Sequence, residues 1–291
     1  MSPIKRIDDH MHVSLKQSGH TINGQLLAAA DEMLPMMEKY NIEHAVLMSS
    51  GEKDCLMDNA ELRAICQKYP RSFSYMASFD LNDLQGLEER IQKEKEQGAV
   101  GIGEFTEGRP FDDDHIFYFL EIVQKMKLPF LFHLSPDLNV CYGVYDDPGL
   151  PLLEKVLQAF PELVVIAHSQ PFWCEMTPFL AVSIHDRNQY PSGKIKVEGR
   201  VQELLRKYPN LYGDLSANSG GNAIMRDETY GIQFLEEFSE RLLYGTDLYC
   251  TEQNFPLGSY IDMLCDTGKL TSVTYQKIMR GNAERIFQFS K

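Results

Sequence analysis

Ile7-Asp8-Asp9-His10-Met11-His12 lies near the start of a 291-residue chain, and its reading decides the fold. The apolar run before it predicts a strand over Ile4–Asp9. Side chains two apart on a strand point to the same face, so His10 and His12 converge on one point. Neutral imidazole is a common ligand for zinc-like ions. A His-x-His pair alone is a weak signal. It gains meaning from lying at the C-terminal end of a strand, where barrel active sites are built.

Working outward, short apolar runs alternate with longer amphipathic segments. Seven further strands are predicted over Ala45–Ser49, Phe73–Phe79, Val100–Phe105, Pro129–His133, Leu163–His168, Leu211–Leu215 and Leu242–Thr246. Helices are expected between them over Gln25–Tyr40, Asn59–Lys68, Leu87–Gln97, Ile116–Met126, Leu150–Phe160, Val197–Lys207 and Thr229–Phe238. Tyr69-Pro70, Phe160-Pro161 and Tyr208-Pro209 supply stop signals. Eight strand–helix units predict an α/β fold, a single (β/α)8 TIM barrel spanning residues 1–291 as one domain. Ser169–Lys196 is the longest stretch without periodicity. It follows a strand end and holds Trp173, the only tryptophan. The expectation is a cover over the active site; a decorated surface insertion is the alternative.

Ligand-type residues recur at the other strand ends. The fourth strand ends in Glu104, the fifth in His133, the sixth in His168, the seventh in Asp214 and Ser216, and the eighth in Asp247. One such residue would ordinarily be a cap or a core group. Six of eight strand ends in one ring make a metal site the economical reading.

These motifs, in this order, resemble the amidohydrolase superfamily. They resemble most its amidohydrolase-related branch, which includes aminocarboxymuconate-semialdehyde decarboxylase. The stretch Ile278-Met-Arg-Gly-Asn282-Ala-Glu-Arg-Ile-Phe287 also resembles that branch's closing helix. The resemblance implies that His10, His12 and Asp247 hold a divalent metal, usually Zn2+ with Mn2+ as the second candidate. It implies His133 as a further ligand. It places His168 on the metal-bound water, the substrate or a second metal, and gives Asp247 the proton of the water nucleophile. A metal can bring the pKa of water down to about 7, and a carboxylate beside it can take the proton. Two positions depart from the branch. Ser169-Gln170-Pro171 stands where a Gly-Gly pair often follows the sixth-strand histidine. Glu104 resembles instead the fourth-strand carboxylate of TatD-like and phosphotriesterase-like relatives, which implies a site for one ion or two.

Other residues carry two readings each. Arg109 is either a clamp for a substrate carboxylate or a partner of Asp112–Asp114. Trp173 and Phe172 either line the pocket or pack the loop. Tyr142 and Tyr249 follow strands and are substrate-binding candidates. Asp214 and Ser216 either orient a histidine or end a strand. Asp8 is expected to point inward with the histidines, and Asp9 away from them. His44 and His115 are expected at the surface or at caps, while His20 and His185 fall in loops on the catalytic side.

Composition sets the partners. The formal net charge of −14 disfavours nucleic acid. No apolar stretch is long enough for a membrane span, and the opening Met-Ser-Pro-Ile-Lys-Arg lacks a signal-like apolar core, so a cytoplasmic location is expected. The six cysteines form no Cys-x-x-Cys pair, which fits reduced thiols. A small-molecule substrate is expected, with a homodimer as the possible assembly. Hydrolysis of an amide, lactone or ester by metal-activated water ranks first, because Glu104 suits a second ion. Decarboxylation of an unsaturated or aromatic acid ranks second, and two-metal phosphoester cleavage third. A purely structural zinc barrel ranks last, since structural sites close on four protein ligands.

Overall fold

Eight parallel strands form the barrel wall of the computed structural model, which describes residues 4–17, 19–22, 24–52, 55–138, 141–178 and 187–289. They are β1 Arg6–Met11, β2 Ile42–Met48, β3 Phe73–Ala77, β4 Ala99–Phe105, β5 Phe130–Ser135, β6 Val165–His168, β7 Leu211–Asp214 and β8 Leu242–Leu243. Each pairs with the next in chain order. The seam between the eighth strand and the first is closed by backbone bonds. Asp9 N–H donates to Tyr244 O (3.0 Å), Asp247 N–H to His10 O (2.8 Å) and His12 N–H to Leu248 O (2.9 Å). The ring is therefore a TIM barrel, as the alternation predicted.

Helices cover the outside: α1 Ala30–Lys39, α2 Asn59–Lys68, α3 Leu87–Glu96, α4 Asp114–Lys125, α5 Pro151–Ala159, α6 Gln170–Cys174, α7 Arg200–Lys207, α8 Ala217–Met225, α9 Glu228–Glu237 and α10 Leu257–Asp266. Tyr69, Phe160 and Tyr208, each followed by proline, are the C-caps of α2, α5 and α7. Asp58 and Asp113 cap α2 and α4 by accepting from backbone N–H groups, which satisfies donors the helix cannot. The first helix begins later than its apolar spacing suggested. Gln25–Leu26 instead pairs with Thr21–Ile22 in a small antiparallel ribbon over the barrel mouth.

The core has two layers. Leu, Ile, Phe and Met side chains fill the space between sheet and helices. A smaller cluster fills the barrel, with Ile7, Val46, Met48, Met76, Leu131, Ile166, Tyr212 and Leu243 meeting Ala283, Ile286 and Phe287 of the closing helix. That helix plugs the end where the strands begin. The opposite end, where the strands finish, is left for polar groups.

Candidate metal centre

The strand ends deliver the expected side chains to one place. His10 and His12 come from β1 and the residues just after it, Glu104 from β4, His133 from β5, His168 from β6, and Asp247 from the turn after β8. Two adjacent sets of donor atoms form, each within 4.8 Å: His10, His12 and Asp247, and Glu104, His133 and His168. His12 Nε2 lies 3.2 Å from Asp247 Oδ1. His133 Nδ1 lies 2.6 Å from Glu104 Oε1. Glu104 Oε2 lies 3.7 Å from His12 Nε2 and 3.9 Å from His10 Nε2, so this one carboxylate reaches both sets. His10 Nε2 and His12 Nε2 face each other at 3.1 Å. Two lone pairs this close repel unless a proton or a cation lies between them. The mixed nitrogen and oxygen donors suit a divalent ion of the zinc or manganese type.

The electrostatics follow from burial and proximity. Burial works to raise the Glu104 carboxyl, but His133, His10 and His168 outweigh it and hold it below its ordinary value. Asp247 is likewise lowered, with burial overcome by His12 and His10. Burial works to lower His168, yet the Asp214 carboxylate beside it prevails and raises it to about 9. His133 is lowered, because burial outweighs its pairing with Glu104. Asp247 also sits at a positive φ of 58°, an uncommon conformation for a residue with a side chain. Its backbone is held there by the bond from its N–H to His10 O.

Beneath the donors, Asp214 ends β7. Its Oδ2 lies 2.8 Å from His10 Nδ1 and 2.9 Å from His168 Nδ1, and accepts from Ser216 Oγ at 2.7 Å. Of the two readings for Asp214 and Ser216, the structure supports histidine orientation. Asp8 and Asp9 are the reverse of the expectation. The β1–β2 register shifts between Asp8 and Met11. A bulge of this kind inverts the alternation of faces. Ile7 and Asp9 therefore point into the barrel, while Asp8 points outward and accepts from Thr246 N–H (2.9 Å) and Thr246 Oγ1 (2.5 Å). Asp9 is fully buried beside Asp214, and burial together with that neighbouring carboxylate raises its pKa well above normal. The strand pattern alone held no signal of the bulge.

A cavity of about 280 Å³ opens over the donors, lined by His12, Glu104 and Asp247 together with Ile22, Ser49, Ser50, Met57, Thr106, Tyr142 and Tyr249. Tyr142 lies against His133, with ring centroids 4.3 Å apart. Tyr249 donates its hydroxyl to Gln25. Both tyrosines line the cavity. Ile22 and Met57 were missed because a two-residue ribbon strand and a lone loop methionine give no periodic signal. A larger polar cleft of about 850 Å³ lies alongside and shares Ser50 and Thr106 with the cavity. Its arginines are engaged in ion pairs, Arg63 with Glu94 and Arg90 with Glu52.

Two substrate candidates are displaced. Arg109 does not line the cavity; it pairs with Glu107 (3.6 Å) and Asp113 (3.5 Å), because the acidic start of α4 lies within its reach. Trp173 is buried in the outer layer behind β7, where its Nε1 donates to Asp214 O (2.9 Å). Phe172 packs beside it. No described residue of 169–196 lines the cavity. His44 lies within β2, bonded to Ser74 and to Arg71 O. His115 is at the start of α4 and bonds Leu81 O. His20 is exposed beside the ribbon, and His185 lies outside the described residues.

The sequence from Ile7 to Phe289 matches the family model described as amidohydrolase, and the chain belongs to that family. No curated protein matches it. Several solved structures share the fold. A manganese-containing 5-carboxyvanillate decarboxylase from Novosphingobium aromaticivorans is 17% identical, with a TM-score of 0.64 covering 97% of this chain and 96% of that one. A 2,6-dihydroxybenzoate decarboxylase from Rhizobium is 17% identical, with a TM-score of 0.59 and 99% of each chain covered. A probable 2-pyrone-4,6-dicarboxylic acid hydrolase from Acinetobacter baumannii is 16% identical, with a TM-score of 0.57, covering 98% of this chain and 100% of that one. At these identities the likeness is one of fold. No helix among the described residues is long and apolar enough to cross a membrane.

Proposed function

We propose that this protein is a metal-dependent decarboxylase of a small unsaturated or aromatic carboxylic acid. The observation that carries the reading is the cavity, where two tyrosines, Ile22 and Met57 wall a space of about 280 Å³ above the donor set. That volume suits a single substituted ring. Among the described residues no lysine or arginine lines it, while Glu104 and Asp247 do. An anionic acid is repelled there unless a cation offsets the two carboxylates. His10, His12, Asp247, Glu104, His133 and His168 would hold that divalent ion, zinc or manganese. When bound, it supplies positive charge for the substrate's carboxylate and draws electrons from the reacting carbon.

The chain's own groups would do the rest. Tyr142 and Tyr249 flank the ring and keep it over the donors. Cleavage leaves the C–C electron pair on the ring carbon, releases CO2 and requires one proton at that carbon. Asp247, which lines the cavity, is placed to hold and return that proton. The fold shared with dihydroxybenzoate and carboxyvanillate decarboxylases supports this reading over hydrolysis. It reverses the order reached from the sequence, where Glu104 put hydrolysis first.

Hydrolysis by activated water is the second reading, and Glu104 is the observation that favours it. A buried carboxylate within reach of both donor sets suits two ions and a water shared between them. One panel separates the two. Protein loaded with Mn2+ or Zn2+ is incubated with 2,6-dihydroxybenzoate, 5-carboxyvanillate and 2-pyrone-4,6-dicarboxylate. CO2 release from a benzoate-type acid, lost on Asp247→Asn, is the expected result. Ring opening of the pyrone without CO2 release would establish hydrolysis instead. Failure of the protein to take up any divalent ion would remove both readings.

A further inference from the structure

We propose that Asp214 is the shared positioning residue of this centre, with one of its oxygens fixing one histidine from each donor set. His10 belongs to the set with His12 and Asp247, and His168 to the set with Glu104 and His133. Both rings direct Nδ1 at the same Oδ2 atom, at 2.8 and 2.9 Å. Ser216 completes the arrangement, with its Oγ donating to Oδ2 (2.7 Å) and its N–H to Oδ1 (2.7 Å). Ser216 Oγ also lies 3.1 Å from His168 Nδ1.

The geometry excludes a more obvious reading. His10, His168 and Asp214 themselves lie close enough to be taken for an ion site. Their meeting atoms are the two Nδ1 groups and Oδ2, an oxygen already aimed at by three donors. An oxygen so engaged has no lone pair to spare for a cation. The knot is a hydrogen-bonded one, and its product lies on the far side of each ring. A neutral imidazole that donates from Nδ1 must present a bare Nε2. His10 Nε2 then faces His12 Nε2, and His168 Nε2 lies 3.9 Å from Glu104 Oε1. The carboxylate is in turn anchored through its own main chain, where Trp173 Nε1 bonds Asp214 O.

Asparagine cannot reproduce this. Its single carbonyl oxygen can face either the histidines or the Ser216 N–H. In either orientation its NH2 group is pressed against donors. The consequence for ions rests on the metal reading above, whereas the tautomer assignment does not. Loss of such an outer partner typically lowers metal affinity 10–100-fold.

The test is Zn2+ titration of metal-free wild type, Asp214→Asn and His133→Ala, with circular dichroism and Tm as checks of folding. Asp214→Asn is expected to weaken every bound ion by about 10–100-fold. His133→Ala removes a donor from one set and is expected to spare the ion held by the other. A folded Asp214→Asn protein that keeps wild-type affinity at any site overturns the proposal. Should that variant fail to fold, imidazole 15N spectra of metal-free wild type at pH 10 decide the matter, with His10→Gln and His168→Gln used for assignment. Both rings are expected to carry the proton on Nδ1; an Nε2–H on either overturns the proposal. If wild type binds no zinc, the metal reading fails, and the spectra still decide the role of Asp214.

Discussion

At Gly245, an added Cβ would lie 2.3 Å from Asp9 Oδ1 and 2.8 Å from Asp214 Oδ1. No such contact is tolerated, so this glycine makes room for two buried carboxyls under the donor set. Gly245→Ala is expected to push Asp214 from its place between His10 and His168. Forced overpacking costs about 1–3 kcal/mol, and metal affinity is expected to fall with it. Thermal melts and zinc titration check both; a variant with unchanged affinity would show that the knot adapts. At this scale the sequence was informative where residue type and strand end coincided. His10, His12, Glu104, His133, His168 and Asp247 are polar groups at positions that should close an apolar strand, and all six meet. Asp8 and Asp9 were misread because a bulge shifts the register, and it is set by pairing with β2 rather than by local sequence.

Among the elements, helix ends were legible and one helix start was not. Tyr-Pro and Phe-Pro fix ends locally, since the residue before proline avoids helical conformation. The start of α1 was hidden because Leu26 and Leu27 continue the helical spacing of the apolar residues, while Gln25–Leu26 is committed to the ribbon with Thr21–Ile22. The short helix α6 shows an element serving the site without touching substrate. It places Trp173 behind β7, where an added Cβ at Gly213 would lie 2.8 Å from the indole. Trp173→Phe deletes the donor to Asp214 O and leaves a buried carbonyl unpaired, at a cost of about 1–3 kcal/mol. The expected outcome is a lower Tm with the cavity chemistry retained at permissive temperature. Equal Tm values for variant and wild type would mean that water replaces the indole N–H.

For the molecule as a whole, closure of the barrel turns a list of strand ends into a site. Sequence alternation revealed the ring, but not the contents of its mouth, since Arg109, Trp173 and the cavity walls depend on how loops pack. The same packing makes stability depend on pH. Asp146, fully buried, accepts from Leu152 N–H and Leu153 N–H at the start of α5. Burial outweighs these bonds and raises its pKa from 3.8 to about 7. The folded state therefore holds the proton more tightly than the unfolded one. The resulting stabilisation is complete below about pH 4 and is lost as pH rises through 7. A shift of this size corresponds to at most about 4 kcal/mol. Asp146→Asn cannot ionise and keeps one acceptor oxygen, so it serves one of the two helix N–H groups, which Asp146 meets with Oδ1 and Oδ2 separately; that fixed cost does not vary with pH. Its Tm relative to wild type is expected to climb steadily between pH 4.5 and pH 8. Comparing the two proteins cancels the general repulsion of a chain carrying a formal charge of −14. A Tm difference that stays constant across this range would mean that Asp146 ionises in the folded protein as easily as in the unfolded one.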